Sequence, residues 1–300
     1  MGGSSLFRKP GSRMIRDPLD TRLGDLLEKC SSRCPCIVGI PWDWSTAGRP
    51  GARHAPQRLR EHLYSLNPHG LECLCDLGDT NIAPGDPGVS FRRISEASVE
   101  ALRTCRGVLF LGGDHSVTRY TVPQVLRTLG GKAGLLVFDA HLDLRILSEG
   151  LSSGTYLGEL VEEMKESLEV VIVGVRRHNN PGYMFERAKA LGVSYMEATD
   201  LEDLSQCVEK ILKKISGADW IYVSVDADSL DPSQCPGSNS PSPAGLYVRE
   251  ISKILEKLSE AKRFVGGDIV EHVPSLDPGE ICGRSLAYIA YKILEILSRA

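Results

Sequence analysis

No window of this 300-residue sequence holds the 18 or more apolar residues that a membrane-spanning helix needs. Residues Met1 to Asp17 are polar and basic (Arg8, Lys9, Arg13, Arg16) and lack the apolar centre of a secretory signal. They read as a polar leader ahead of one domain over residues 18–300, and the expected compartment is the cytoplasm. No charge sign dominates either: 35 Lys and Arg stand against 39 Asp and Glu, a net charge of −4. That balance gives no reason to expect nucleic acid or a membrane surface as partner. Internal repeats and low-complexity linkers are absent. Cys34-Pro-Cys36 and Cys73-Leu-Cys75 are spaced too closely for the usual zinc knuckle, which has two to four intervening residues. The nine cysteines are therefore expected to be scattered buried thiols. A disulfide joining the two Cys-x-Cys pairs is the alternative. Cys235, in a loop rich in Pro and Ser over 229–246, is either inert or redox-sensitive, depending on its exposure.

What the chain does have is ordinary globular composition, 42% hydrophobic and 25% charged, and length enough for a large core. Short runs apolar throughout recur at 36–40, 107–111, 134–138, 170–174, 220–225 and 263–269. Such runs suit strands buried on both faces of a parallel sheet. Helical patterns occupy 94–105, 121–129, 156–167, 183–191, 203–215, 248–258 and 285–297. The alternation predicts an α/β fold, a three-layer α/β/α domain around a mostly parallel sheet.

Three polar clusters directly follow three of these strands: Gly112-Gly-Asp-His-Ser116, Asp139-Ala-His-Leu-Asp143 and Ser224-Val-Asp-Ala-Asp-Ser-Leu-Asp-Pro232. Open α/β sheets bind ligands at the carboxyl ends of their strands, so one edge gathers His115, Asp139, His141, Asp143, Asp226 and Asp228. Within a strand end, residues two apart point the same way, which would aim Asp139, His141 and Asp143 to one side. One such Asp alone is as well explained as a turn or helix cap. Three clusters at three strand ends are not. Two imidazoles with four carboxylates form a hard N/O ligand set, suited to divalent ions such as Mn²⁺. Dications would also relieve the repulsion among the carboxylates.

In this order, the three clusters resemble the signature motifs of the ureohydrolase (arginase, agmatinase and formiminoglutamase) family. Further matches are Gly48-Arg-Pro-Gly-Ala-Arg53 with Pro56, Ser240-Pro-Ser-Pro-Ala-Gly-Leu246, and Asp268-Ile-Val-Glu-His-Val-Pro274. The resemblance implies an arginase-like fold and two Mn²⁺ ions. His115, Asp139, Asp143 and Asp226 would hold one; His141, Asp139, Asp226 and Asp228 would hold the other. It implies hydrolysis of a C–N bond in a linear amidine or guanidine by a hydroxide shared between the ions. Asp143 would move a proton toward the leaving nitrogen, and Glu271 would pair with the cationic head of the substrate. It also implies a homo-oligomer, trimeric or hexameric.

Arginases and agmatinases carry a proton-shuttle histidine shortly after the second motif, where this chain has Ser152-Ser-Gly-Thr155. That segment, Asp143-Leu-Arg145 and Gly174-Val-Arg-Arg-His-Asn-Asn180 are closer to formiminoglutamase. The substrate expectation is thus N-formimino-L-glutamate, split to glutamate and formamide. Its carboxylates would meet Arg145, Arg176 or Arg177, with Ser152, Ser153 and Gly154 beside them. Against this, Gly112-Gly-Asp-His-Ser116 is nearer the agmatinase form, which keeps agmatine and other guanidino compounds as alternatives. His178 and His272 are the candidates to replace the absent histidine, although surface or structural roles are commoner for each. A metal-dependent phosphatase would bring a Gly-rich anion cradle, which is not found. An inactive relative kept for assembly would have lost metal ligands, and none is missing.

Overall fold

The structure, a computed structural model, describes residues 19–299 apart from positions 28, 29, 149 and 202. The polar leader expected over 1–17 lies outside the described residues. Eight strands form one sheet: β1 (Cys36–Gly39), β2 (Cys75–Asp79), β3 (Val108–Leu111), β4 (Ala133–Phe138), β5 (Leu168–Val175), β6 (Ser194–Glu197), β7 (Trp220–Asp226) and β8 (Arg263–Val270). The spatial order is β2-β1-β3-β8-β7-β4-β5-β6, and every pairing is parallel. Helices α1 (Ala55–Leu63), α2 (Pro87–Thr104), α3 (Thr118–Leu129), α4 (Tyr156–Met164), α5 (Gly182–Leu191), α6 (Leu204–Lys214), α7 (Val248–Ser259) and α8 (Ile281–Arg299) cover its two faces. One core cluster joins the sheet to α1, α6, α7 and α8, the other to α2, α3, α4 and α5. This is the α/β three-layer arrangement expected, with a sheet that is wholly rather than mostly parallel.

The six apolar runs all became strands. The two strands without such a run are β2 and β6, and they are the sheet's edges. Only Cys75 of β2 is buried, and all of β6 is half-buried. An edge strand has no need of a continuous apolar stretch. Helix α2 begins at Pro87 rather than near Ile94. The Asp86 side chain accepts a hydrogen bond from Val89 N, and Pro87 sits where its missing N–H costs nothing. Helix α1 was not anticipated; it has Pro56 in its first turn and buries Leu59 and Leu63.

The expectation of free thiols throughout is corrected. Cys30 pairs with Cys75, Cys34 with Cys73 and Cys235 with Cys282, leaving Cys36, Cys105 and Cys207 free and buried. The reason is register. Cys36 opens β1 beside Cys75 at the start of β2, so the two Cys-x-Cys segments lie side by side. Cys34–Cys73 joins them, as the alternative reading had it. Cys235 is fully buried and paired, so it is not an exposed redox-sensitive thiol.

Candidate metal centre

The four central strands are neighbours in the order β3-β8-β7-β4. The chain crosses from β3 to β4 and returns through β7 and β8, so the three clusters and Glu271 emerge at one sheet edge. Their local conformation is not a continued strand. Strand β4 ends at Phe138, so Asp139 to Asp143 is loop, and strand alternation does not aim these side chains. Hydrogen bonds do. His141 N donates to Asp139 Oδ1 at 2.7 Å. Leu142 N donates to Asn180 Oδ1 at 2.9 Å, while Asn180 Nδ2 donates to Ala140 O at 2.9 Å. Asp143 then takes a left-handed backbone, φ 50°, and Glu271 does the same at φ 62°. Such conformations are strained for non-glycine residues, and both occur at this edge. After β7, Asp228 N donates to Asp226 Oδ1 at 2.8 Å, and the Asp228 carboxylate accepts from Ala140 N at 3.2 Å.

The result is two groups. His115 Nδ1 faces Asp139 Oδ2 at 3.1 Å, Asp143 Oδ2 at 3.2 Å and Asp226 Oδ2 at 3.2 Å. His141 Nδ1 faces Asp228 Oδ2 at 3.1 Å and Asp139 Oδ1 at 3.5 Å. Asp139 belongs to both, one oxygen to each. Asp226 falls with the first group only. On the far side of His115, Nε2 lies 2.9 Å from both Ser224 Oγ and Tyr156 OH. Ser224 donates to the buried Asp268, which also accepts from Tyr222 OH at 2.8 Å and Thr118 Oγ1 at 2.9 Å. These contacts hold the ring so that Nδ1 points at three carboxylates. That nitrogen is buried and has no aligned hydrogen-bond partner.

The electrostatics show a site short of positive charge. Burial, then Asp228 and Asp139, push the Asp226 carboxyl well above the carboxylate range. Burial, then Asp139, raise Asp143 to about 6. Burial, then Asp114, raise Glu271 to about 8. Burial opposes charge on His115, but Tyr156 and the carboxylates Asp139, Asp143 and Asp226 raise it well above an ordinary imidazole. Burial likewise opposes charge on His141, yet Asp228 and Asp139 raise it to about 12. An unpartnered imidazole nitrogen ringed by carboxylate oxygens fits a divalent ion, and the N/O donor set excludes a preference for soft metals. The three-member groupings His115/Asp139/Asp143 and Asp139/His141/Asp228 are each tight enough for one ion.

Above the ligands lies a cavity of about 120 Å³, lined by His141, Asp143, Arg145, Gly154, Asn239 and Glu271 among others. A cavity of about 570 Å³ lies elsewhere, between β6 and α6, and gathers no comparable set of convergent histidines and carboxylates. Glu271 Oε1 accepts from His115 N and Oε2 from Asn239 Nδ2, both at 2.8 Å. Ser153 also lines the cavity, but its hydroxyl accepts from Ala47 N at 2.9 Å. Ser152 is not among the lining residues; its N–H donates to Thr155 Oγ1. Arg145 lines the cavity and has no ion-pair partner among the described residues. Arg176 and Arg177 do not belong there. Arg176 is buried and donates to the carbonyls of Gly174, Leu230 and Ser242. Arg177 pairs with Glu197 over the Phe185 ring. His178 stands against Ser242, and His272 is buried against Asp277, so neither reaches the cavity.

The sequence profile of the arginase family matches residues 35–295. The chain belongs to the arginase family. It is 30% identical to a formimidoylglutamase of Halobacterium salinarum over 95% of each chain. It is 31% identical to the mitochondrial guanidino acid hydrolase of Homo sapiens, over 87% of this chain and 76% of that one. The crystal structure of formimidoylglutamase from Bacillus subtilis superposes with a TM-score of 0.90 at 27% identity, covering 98% of this chain and 96% of that one. Arginase-family proteins depend on a binuclear metal centre and hydrolyse C–N bonds in amidines and guanidines; this chain is a hydrolase of that class.

In this arginase-family enzyme, two kinds of contact escaped sequence reasoning. Asn239 and Tyr156 drew no notice, because an Asn in a loop and a Tyr opening a helix are each common. Ser224 and Asp268 stood inside quoted motifs but without a role. Asn239 directly precedes Ser240-Pro-Ser-Pro, a segment already matched, and that position was the available signal.

Proposed function

We propose that this arginase-family enzyme hydrolyses N-formimino-L-glutamate to glutamate and formamide. The observation that carries the substrate is Arg145, a cationic side chain lining the cavity that has no ion-pair partner among the described residues. A guanidinium there pairs with a carboxylate by two parallel hydrogen bonds. Similarity to formimidoylglutamases over nearly the whole chain supports the same reading.

His115, Asp139, Asp143 and Asp226 would hold one divalent ion, and His141, Asp139 and Asp228 the other; manganese suits the donors. Two such ions supply a water acidic enough to act as hydroxide at neutral pH. The protein's own residues do the rest. Glu271, already fixed by Asn239 and His115 N, accepts hydrogen bonds from the amidinium and sets the orientation of its carbon. Asp143, at the cavity wall, would carry a proton toward the leaving nitrogen. Arg145 holds the far carboxylates. Ser153 and Gly154 shape the wall beside it; a side chain at Gly154 would meet Arg145 Cδ at 3.1 Å. We further propose a cytoplasmic homo-oligomer, trimeric or hexameric, with small amidines as its partners. Among the described residues no helix is long and apolar enough to cross a membrane.

A second reading is supported by the human guanidino acid hydrolase and by Gly112-Gly-Asp-His-Ser116: a guanidino acid, whose carboxylate Arg145 would also bind. Arg145→Ala tests the shared premise. The KM for N-formimino-L-glutamate is expected to rise at least tenfold, about 1.4 kcal/mol, with kcat little changed. An unchanged KM would remove Arg145 from substrate binding.

A further inference from the structure

The amino ends of β1 and β2 lie at the opposite end of the sheet from the carboxylates, and they carry a concentration of sulfur that hydrolysis does not use. Cys30 and Cys75 are joined. The free thiol of Cys105, at the end of α2, lies 3.9 Å from Cys75 Sγ. The sulfurs of Cys30, Cys75 and Cys105 all fall within 4.8 Å of one another. Cys36, beside Cys75 in the sheet register, is free and completely buried. Cys75 is completely buried and Cys105 nearly so, whereas Cys30 is half-exposed. A soft metal ion would first require reduction of the Cys30–Cys75 bond. Exchange is the chemistry these sulfurs can perform as they stand.

We propose that this cluster is a thiol–disulfide exchange site, with Cys105 as the internal nucleophile and Cys30 as the sulfur that meets low-molecular-weight disulfides. Cys105 loses its proton and attacks Cys75 Sγ. The Cys75–Cys105 bond forms, the Cys30–Cys75 bond breaks, and Cys30 leaves as the thiolate. One disulfide is made for one lost, so no oxidant or reductant is consumed. The released Cys30 thiolate can attack an external disulfide, forming a mixed disulfide and expelling one external thiolate. The hydrogen bond that Cys36 gives Cys105 favours the Cys105 thiolate and holds its pKa below the usual thiol value, although burial opposes it. Exchange also moves a tether. Before it, β2 is clamped to the segment preceding β1; afterwards it is clamped to α2.

The test begins with wild-type protein. The folded, unreduced chain is alkylated with iodoacetamide, quenched in acid and mapped by mass spectrometry after peptic digestion, which freezes exchange. A fraction of chains is expected to carry the label on Cys30, and the same sample should yield a Cys75–Cys105 disulfide peptide. Addition of oxidised glutathione should place a mixed disulfide on Cys30. Absence of the Cys75–Cys105 peptide, or an unlabelled Cys30, would overturn the proposal without any variant. In Cys105→Ser, labelling of Cys30 should slow at least tenfold, while Cys34–Cys73, Cys235–Cys282 and the hydrolytic rate stay as in wild type. Equal labelling in the two proteins would equally refute it.

Discussion

Asp139 is where the two ligand groups meet, with Oδ2 toward His115 and Oδ1 toward His141. Replacement by Asn keeps the shape but removes the charge shared by both groups. Asp139→Asn should lower kcat/KM by roughly a thousandfold, about 4 kcal/mol, and reduce bound metal measured on the purified protein. Full metal content with full rate would refute the ligand assignment. The six candidate ligand residues could be singled out in the sequence because each stands in a short polar cluster after an apolar run. The left-handed backbone of Asp143 and Glu271 was not readable, since neither is a residue type that announces it. Nor were Tyr156 and Asn239, whose meaning comes from contacts 41 and 32 residues away along the chain.

Strand elements were legible wherever both faces are buried, and lost at β2 and β6, where the sheet ends. The reason given for aiming the ligands was also wrong in kind. Alternation belongs to strands, while Asp139 to Asp143 is a loop shaped by Asn180 and by its own hydrogen bonds. The edge strand β2 is held by side chains from the preceding helix instead of a second neighbouring strand. Arg60 Nε donates to Asp76 Oδ2 at 2.7 Å and Arg60 Nη2 to Oδ1 at 3.0 Å; Tyr64, just past the end of α1, donates to the same carboxylate. Burial would raise the Asp76 pKa, but the Arg60, Tyr64 and Gly78 N–H hydrogen bonds outweigh it and hold the group below the usual Asp value. A carboxyl depressed in the folded state stabilises the protein above its unfolded pKa of about 4, and that contribution is lost as pH falls through the folded value. Asp76→Asn should therefore cost about 1–3 kcal/mol at pH 7 in urea unfolding. The gap from wild type should narrow below about pH 4. A gap independent of pH would mean that the charge on Asp76 is not what binds β2 to α1.

For the molecule as a whole, fold and site have one origin. The order β3-β8-β7-β4 brings strands distant in sequence together at the centre of the sheet and gathers their carboxyl ends. Which strands pair was not legible, because the pairing is decided by packing across the whole chain. That the clusters share an edge was legible, because parallel sheets place all such ends together. The carboxylates gathered at that edge are the candidate metal ligands, so metal binding should be linked to stability. Manganese at a hundredfold over its dissociation constant should stabilise the protein by about 2.7 kcal/mol, raising Tm by roughly 4 °C. A chelator should reverse the rise, and Asp139→Asn should blunt it. A Tm indifferent to manganese would contradict the metal reading independently of any substrate.

The most direct test of the whole account is a product assay. The manganese-loaded enzyme is offered N-formimino-L-glutamate, agmatine, arginine and guanidinobutyrate in parallel, with glutamate and urea scored separately. Glutamate from the first substrate, with no urea from the others, is the predicted result. Urea from agmatine with no glutamate from N-formimino-L-glutamate would contradict it, and would mean that Arg145 and the Ser152–Thr155 segment do not select a carboxylate-bearing amidine.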